Sequence, residues 1–171
     1  MTRFAPTLIA VVLAFGAPAG ATEHELDAYG PALDACYSSA ETSEALNGCR
    51  DAVSGPCMDR EDGGQTTLGM SSCLMAESAA WDRHLNDEYK ATMAVFDEQD
   101  AEEAAAFPGL PQRSAALKAA QRAWIAFRDA ECALAYAQWG AGSMRSIAGA
   151  GCHADMTATR TIELRAMREE R

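Results

Sequence analysis

The sequence predicts an all-α fold: a small, disulfide-stapled helical bundle built on a long antiparallel helical hairpin plus a C-terminal helix. Three observations predict it. Apolar residues recur at helical spacing through most of the chain, nothing has the period of two expected of strands, and six cysteines sit in a chain that opens like an exported protein.

Taken in order, residues 1–21 read as a cleaved secretory signal. Arg3 supplies a positive charge, Phe4 to Phe15 an apolar stretch broken by Pro6 and Thr7, and Ala19, Gly20 and Ala21 a small-residue cleavage site. Gly16 and Pro18 interrupt the apolar run, which is shorter than the roughly 20 residues that span a bilayer, and no cysteine follows to take a lipid. The expectation is a periplasmic or secreted protein with no membrane association after cleavage.

Residues 22–56 form an expected N-terminal helical extension, and 57–171 the main helical domain. The cysteines are Cys36, Cys49, Cys57, Cys73, Cys132 and Cys152. Six cysteines allow fifteen pairings, of which the sequential one is favoured: Cys36 with Cys49, Cys57 with Cys73, and Cys132 with Cys152. A weak repeat links the first two pairs. Cys49 is preceded by Leu46 and Thr42, and Cys73 by Met70 and Thr66, at the same distances. The pattern suggests a helical turn capped by Thr42 or Ser43, and by Thr66 or Thr67, and tied back by a disulfide; chance similarity is the alternative.

The first long helix is expected from Ser72 to about Ala106, with an apolar stripe of Leu74, Trp81, Leu85, Tyr89 and Phe96. Phe107, Pro108, Gly109, Leu110 and Pro111 break it. The second is expected from about Pro111 to Trp139, with Leu117, Trp124, Phe127 and Leu134 as its stripe, and the short connection makes the two an antiparallel hairpin. Gly140, Ala141, Gly142 and Ser143 signal a loop that runs on to Gly151, and a last helix is expected from Cys152 to Arg168.

Composition narrows the function. The 171 residues hold 14 Lys and Arg against 25 Asp and Glu, a net charge of -11. Such a molecule repels polyanions, so nucleic acid is excluded as a partner and a basic one is favoured. The acidity is uneven: residues 22–110 hold 4 basic and 19 acidic residues, residues 111–171 hold 9 and 6.

Catalysis and metals find little support. There is no Gly-x-Ser-x-Gly, no phosphate loop and no C-x-x-C pair. His24, His84 and His153 lack ligand-like spacing, and Cys152 and His153 resemble the end of a haem-attachment motif except that Gly149 stands where its first cysteine would be. No catalytic residue, metal or cofactor is expected.

The most specific polar residues sit on the long helices: Asp82, Asn86 and Tyr89 on the first, Gln121, Trp124, Arg128 and Asp129 on the second, and Thr157, Arg160 and Glu163 on the last. Arg128 is one turn from Trp124 and within reach of Asp82 on the facing helix. The expected role is structural, a network that joins the helices and fixes their register.

These positions, with Cys57, Thr67, Met70, Cys73, Leu85, Cys132, Gly142, Ser143, Cys152 and Leu164, make the chain resemble the LprI-like lysozyme inhibitor family of bacterial envelope proteins over roughly residues 57–165. It departs from the pattern in the added Cys36 and Cys49, and in a turn reading Gly140, Ala141, Gly142, Ser143 where Gly-Gly-Ser is more usual. The resemblance implies a secreted helical domain and, for the namesake branch, inhibition of lysozyme. The partner would then be a basic protein whose cleft carries the catalytic carboxylates.

Two segments suit that task. The acidic run Asp97, Glu98, Asp100, Glu102 and Glu103 could steer a cationic partner, or simply be a solvated helix face. The segment from Trp139 to Gly151, closed by a Cys132 to Cys152 bridge, could protrude and offer Trp139, Ser143, Met144 and Arg145 as contacts, or be an ordinary connection. The alternative function is a non-catalytic envelope interaction or stress-response module with another protein partner. The sequence carries no signal for an oligomeric state.

Overall fold

The computed structural model describes residues 27–169 except residue 105, so the expected signal at residues 1–21 lies outside the described residues. A 3-10 turn at Asp27–Tyr29 leads into α1 (Gly30–Ser39), α2 (Ser43–Asn47) and α3 (Ser54–Arg60). Three long helices follow: α4 (Thr67–Ala104), α5 (Arg113–Ala137) and α6 (Met144–Glu169). No strand occurs among the described residues, and the fold is the all-α, disulfide-stapled bundle that the periodicity predicts.

The sequential disulfides form: Cys36–Cys49, Cys57–Cys73 and Cys132–Cys152. The repeat has a physical basis as well. The Thr42 hydroxyl accepts from the Ala45 N–H at 3.1 Å and the Thr66 hydroxyl from the Gly69 N–H at 3.1 Å, so in each unit the threonine seven residues before the second cysteine caps the helix.

Cross-helix hydrogen bonds fix the directions. Ser71 donates to the Ser146 carbonyl, Thr161 to that of Trp81 and Thr92 to that of Leu164, so numbers rise together and α4 runs parallel to α6. Arg113 meets Asp100, Arg128 meets Asp82 and Arg160 meets Gln121, so α5 runs antiparallel to both. The α4–α5 hairpin therefore exists, but the most extensive packing is α4 on α6, with α5 laid mainly on α6.

Two apolar clusters hold the bundle. Leu33, Tyr37, Leu46 and Val53 of the N-terminal segment pack with Ala80 and Trp81 of α4 and Ala158 and Ile162 of α6. Farther along, Leu85 and Phe96 of α4 meet Leu117 of α5 and Leu164 of α6. Burying one such large side chain contributes about 1.5–3 kcal/mol.

The first helix keeps its expected stripe, with Trp81, Leu85 and Phe96 buried and Leu74 and Tyr89 partly so. The second keeps only half of its own, Leu117 and Trp124. Phe127 is 58% exposed and Leu134 51%, because the face of α5 that turns inward carries Gln121, Arg128 and Cys132 beside Leu117 and Trp124. Its other interior places thus go to a guanidinium, an amide and a half-cystine.

The last helix begins at Met144, eight residues before the expected start at Cys152. Gly149 and Gly151 read as loop residues, yet both are helical and packed. A Cβ on Gly149 would lie 3.3 Å from the Tyr136 Cβ, and one on Gly151 would lie 3.8 Å from Leu74. These glycines bring α6 close to its neighbours, and that packing offsets their poor helix propensity.

Candidate functional site

The polar residues singled out on the long helices converge on Arg128. Its guanidinium lies over the Trp124 ring, 5.2 Å from the centroid, and bonds Asp129 Oδ1 through Nε at 3.1 Å and Nη2 at 3.0 Å. Asp82 stands 3.9 Å away, held by Asn86 at 2.9 Å, and the Thr157 hydroxyl is 3.5 Å from Nη1. One turn along, Arg160 donates to Gln121 at 3.0 Å and pairs with Glu163 at 3.0 Å. Tyr89 lies on the other flank of Arg128, in a hollow of about 240 Å³ shared with Gln121 and Leu85.

The acidic run divides. Asp97, Glu98 and Glu102 are exposed on α4, but Asp100 and Glu103 are turned to the start of α5. Asp100 accepts from the backbone N–H groups of Arg113 and Ser114, both at 3.0 Å, and from the Ser114 hydroxyl at 2.9 Å. Arg113 bridges Asp100 at 3.2 Å and Glu103 at 2.6 Å. Asp100 is thus an N-terminal cap supplied by the neighbouring helix, only 7% exposed, whereas Glu103 is paired with Arg113 but keeps 42% of its side chain exposed. The Ser114 N–H, more than any other contact, holds its carboxyl down to about 2, and the Arg113 hydrogen bond lowers that of Glu103.

The expected protruding segment from Trp139 to Gly151 is shorter than its sequence suggests. Non-helical residues run only from Gln138 to Ser143, with Gly140 at φ 52°, a backbone state that favours glycine. Trp139 is 49% exposed and Met144 40%. Arg145 folds back over the Tyr136 ring, 5.4 Å from its centroid, and donates to the Gly140 carbonyl at 3.5 Å. The Cys132–Cys152 bridge ties two helices side by side instead of closing a loop.

Beside this turn opens a groove of about 850 Å³. Its walls are Met75 and Ala79 of α4 and Ala133 and Tyr136 of α5, and its floor is Gly149 and Ala150 of α6. The small floor residues leave room between the walls of α4 and α5. Asp82, Arg128 and Asp129 form its polar inner end. Sequence reading missed the groove because its signal, the small-residue run Ala148 to Gly151, reads equally well as a loop.

Sequence reading also missed two buried carboxylates. Glu77, 2% exposed, accepts from the N–H groups of Val53 at 2.7 Å and Ser54 at 2.8 Å and from the Trp81 indole at 2.7 Å. Glu88, 8% exposed, accepts from the Tyr37 hydroxyl at 2.9 Å and pairs with Arg168 at 3.0 Å. Burial, and then Glu88, push the Tyr37 phenol well above its ordinary range. Both carboxylates are saturated by structural donors, an arrangement that holds elements together.

Among the described residues no three His, Cys, Asp or Glu side chains gather as a metal site, and no helix is long and apolar enough to cross a membrane. What the surface offers chemically is recognition: a preformed concave face, exposed apolar side chains at its mouth and carboxylates within it.

No solved structure matches the chain at a significant level. An uncharacterized protein of Rhizobium meliloti (strain 1021) is 33% identical over 137 residues, which cover 78% of this chain and 88% of that protein. Residues 57–164, from the first cysteine of the second disulfide to the buried Leu164 of α6, match the family described as Lysozyme inhibitor LprI. The chain belongs to the lysozyme inhibitor LprI family.

Proposed function

We propose that the protein is an exported inhibitor of lysozyme that works in the periplasm or outside the cell. The observation that carries this reading is the family match, which spans all three long helices and two of the three disulfides. An inhibitory role agrees with a fold whose buried carboxylates bind structural donors and whose open surface offers a concave face.

The finer reading is electrostatic. A basic lysozyme is drawn to the acidic part of the molecule, where Asp97, Glu98 and Glu102 stand exposed on α4. The turn at Trp139 then supplies an aromatic contact at the substrate cleft, which the inhibitor blocks.

The test is protection of a cell-wall suspension from lysozyme by the purified mature protein. Protection should weaken as salt is raised, and the triple change Asp97→Ser, Glu98→Ser, Glu102→Ser should slow association. No protection at micromolar protein and low ionic strength would sink the reading.

A further inference from the structure

We propose that the groove between α4 and α5 is the docking surface for the partner, and that it receives a cationic segment carrying an apolar anchor followed by a lysine or arginine. This rests on the inhibitor reading and names the place and chemistry of the contact. The shape argues for an inserted segment. At about 850 Å³ the groove lies within the range of sites that bury most of a bound group, and its floor of Gly149 and Ala150 admits side chains deeply.

The walls are mostly apolar, with Ser71 and Ser78 among them. Met75 is 63% exposed and Tyr136 43%, and both line the groove. Both are residue types enriched at protein interfaces, and the flexible methionine can fit more than one anchor. The groove is also rigid. The Cys132–Cys152 disulfide pins one wall to the floor, and the Arg128 network pins α5 to Asp82 of the other wall. A preformed cleft loses little ordering entropy on binding.

Charge selects the occupant. Two carboxylates, Asp82 and Asp129, share one cation, Arg128, and their side chains remain 50% and 56% exposed. The inner end therefore carries an excess negative charge that a lysine or arginine would neutralise. Arg145 lies over the Tyr136 ring and against the Gly140 carbonyl, outside the groove's lining, so the charges that line the groove are Asp82, Asp129 and Arg128. An acidic segment would meet the net negative charge of the pair, least compensated at Asp82, which stands 3.9 Å from Arg128.

The test measures binding of a basic lysozyme by titration calorimetry and by association and dissociation rates. The groove is filled by Ala79→Trp and, separately, by Ala133→Trp, both at exposed positions on its walls. Ala130→Trp, on the outer face of the same helix, is the matched control, and Asp129→Asn removes the excess charge. Circular dichroism and thermal unfolding verify folding of each variant.

The expected result is a loss of affinity of about tenfold or more for the groove-filling variants, mostly in dissociation, with Ala130→Trp unchanged. Asp129→Asn should weaken binding less and flatten its salt dependence. If the wild type binds and both groove-filling variants bind equally well, the groove is overturned and the inhibitor reading stands. Equal weakening by Ala130→Trp also overturns the groove, since contact would then lie on the outer face. If the wild type binds no lysozyme, both fall. Should one tryptophan variant fail to fold, the other and Asp129→Asn decide.

Discussion

The Asp100 carboxylate on α4 caps the first turn of α5 through Ser114, taking its backbone N–H at 3.0 Å and its hydroxyl at 2.9 Å. A helix start leaves several N–H groups without partners, and its dipole favours a negative charge. The cap is borrowed across the α4–α5 corner, so one carboxylate sets both the start of α5 and its angle to α4. Gln112, the local cap position, makes no side-chain cap bond.

The Asp100 carboxyl titrates near 2 in the folded protein, below its ordinary value of 3.8. A depressed folded value means that this contribution to stability is present above the ordinary value and is lost as pH falls toward 2. Thermal unfolding followed from pH 6 to pH 2 should show a decline in the acid range that is smaller in Asp100→Asn. The variant should also melt a few degrees lower at pH 6. An acid decline identical in the two proteins would show that the cap contributes nothing.

Glu77 carries a different prediction because it is buried against three neutral donors: the N–H groups of Val53 and Ser54 and the Trp81 indole. Glu77→Leu leaves all three without an acceptor in the interior, at a cost of about 1–3 kcal/mol for each unsatisfied group. The expected result is a loss of several kcal/mol in urea unfolding, with Glu77→Gln intermediate because one of its oxygens is replaced by a donor. Equal stability of Glu77→Leu and wild type would contradict the network.

The legibility of the fold follows from these same residues. Trp81, Leu85 and Phe96 lie at helical spacing and are buried, so α4 could be read from its pattern. Glu77, Glu88 and Thr92 lie on the same inward face, but charged and polar residues in an apolar pattern look like solvent positions until their partners are seen. Those partners are distant in sequence: Val53 for Glu77, Tyr37 and Arg168 for Glu88. The site was less legible. The positions of Asp82, Trp124 and Arg128 foretold a cross-helix cluster, and the cluster forms. Phe127 and Leu134 belonged to an apparent stripe but face out, since periodicity gives a face without saying what covers it. The groove escaped because Gly149 signals both a loop and a close helix contact.

Two glycines test that ambiguity directly. A Cβ on Gly69 would run into the backbone of Gly63 and Gly64, where the loop before α4 lies on its first turn. Gly55, within α3, has nothing within 4 Å of such an atom. Gly69→Ala should destabilise the protein despite the better helix propensity of alanine, whereas Gly55→Ala should stabilise it by about 0.5–1 kcal/mol. Opposite signs in chemical denaturation are the expected outcome; two stabilising changes would mean that the loop yields freely.

The Cys132–Cys152 bridge should matter most for α5. That helix buries only Leu117, Gln121 and Cys132, and its C-terminal half borders the open groove. The disulfide is therefore its principal tether to α6 beyond Arg128. In the chain-entropy account, closing a loop with a separation of 20 residues stabilises by about 3 kcal/mol, less any strain. The double change Cys132→Ser and Cys152→Ser should lower global stability by an amount of that order. It should also raise amide hydrogen exchange in residues 129–145 well above that in α4, whose packing on α6 is untouched. Because this segment forms a wall of the groove and the Trp139 turn, lysozyme binding should weaken more than stability at the assay temperature requires. Uniform exchange across α4, α5 and α6 would instead mean that the three helices open as one unit and that the bridge does not hold the groove in shape.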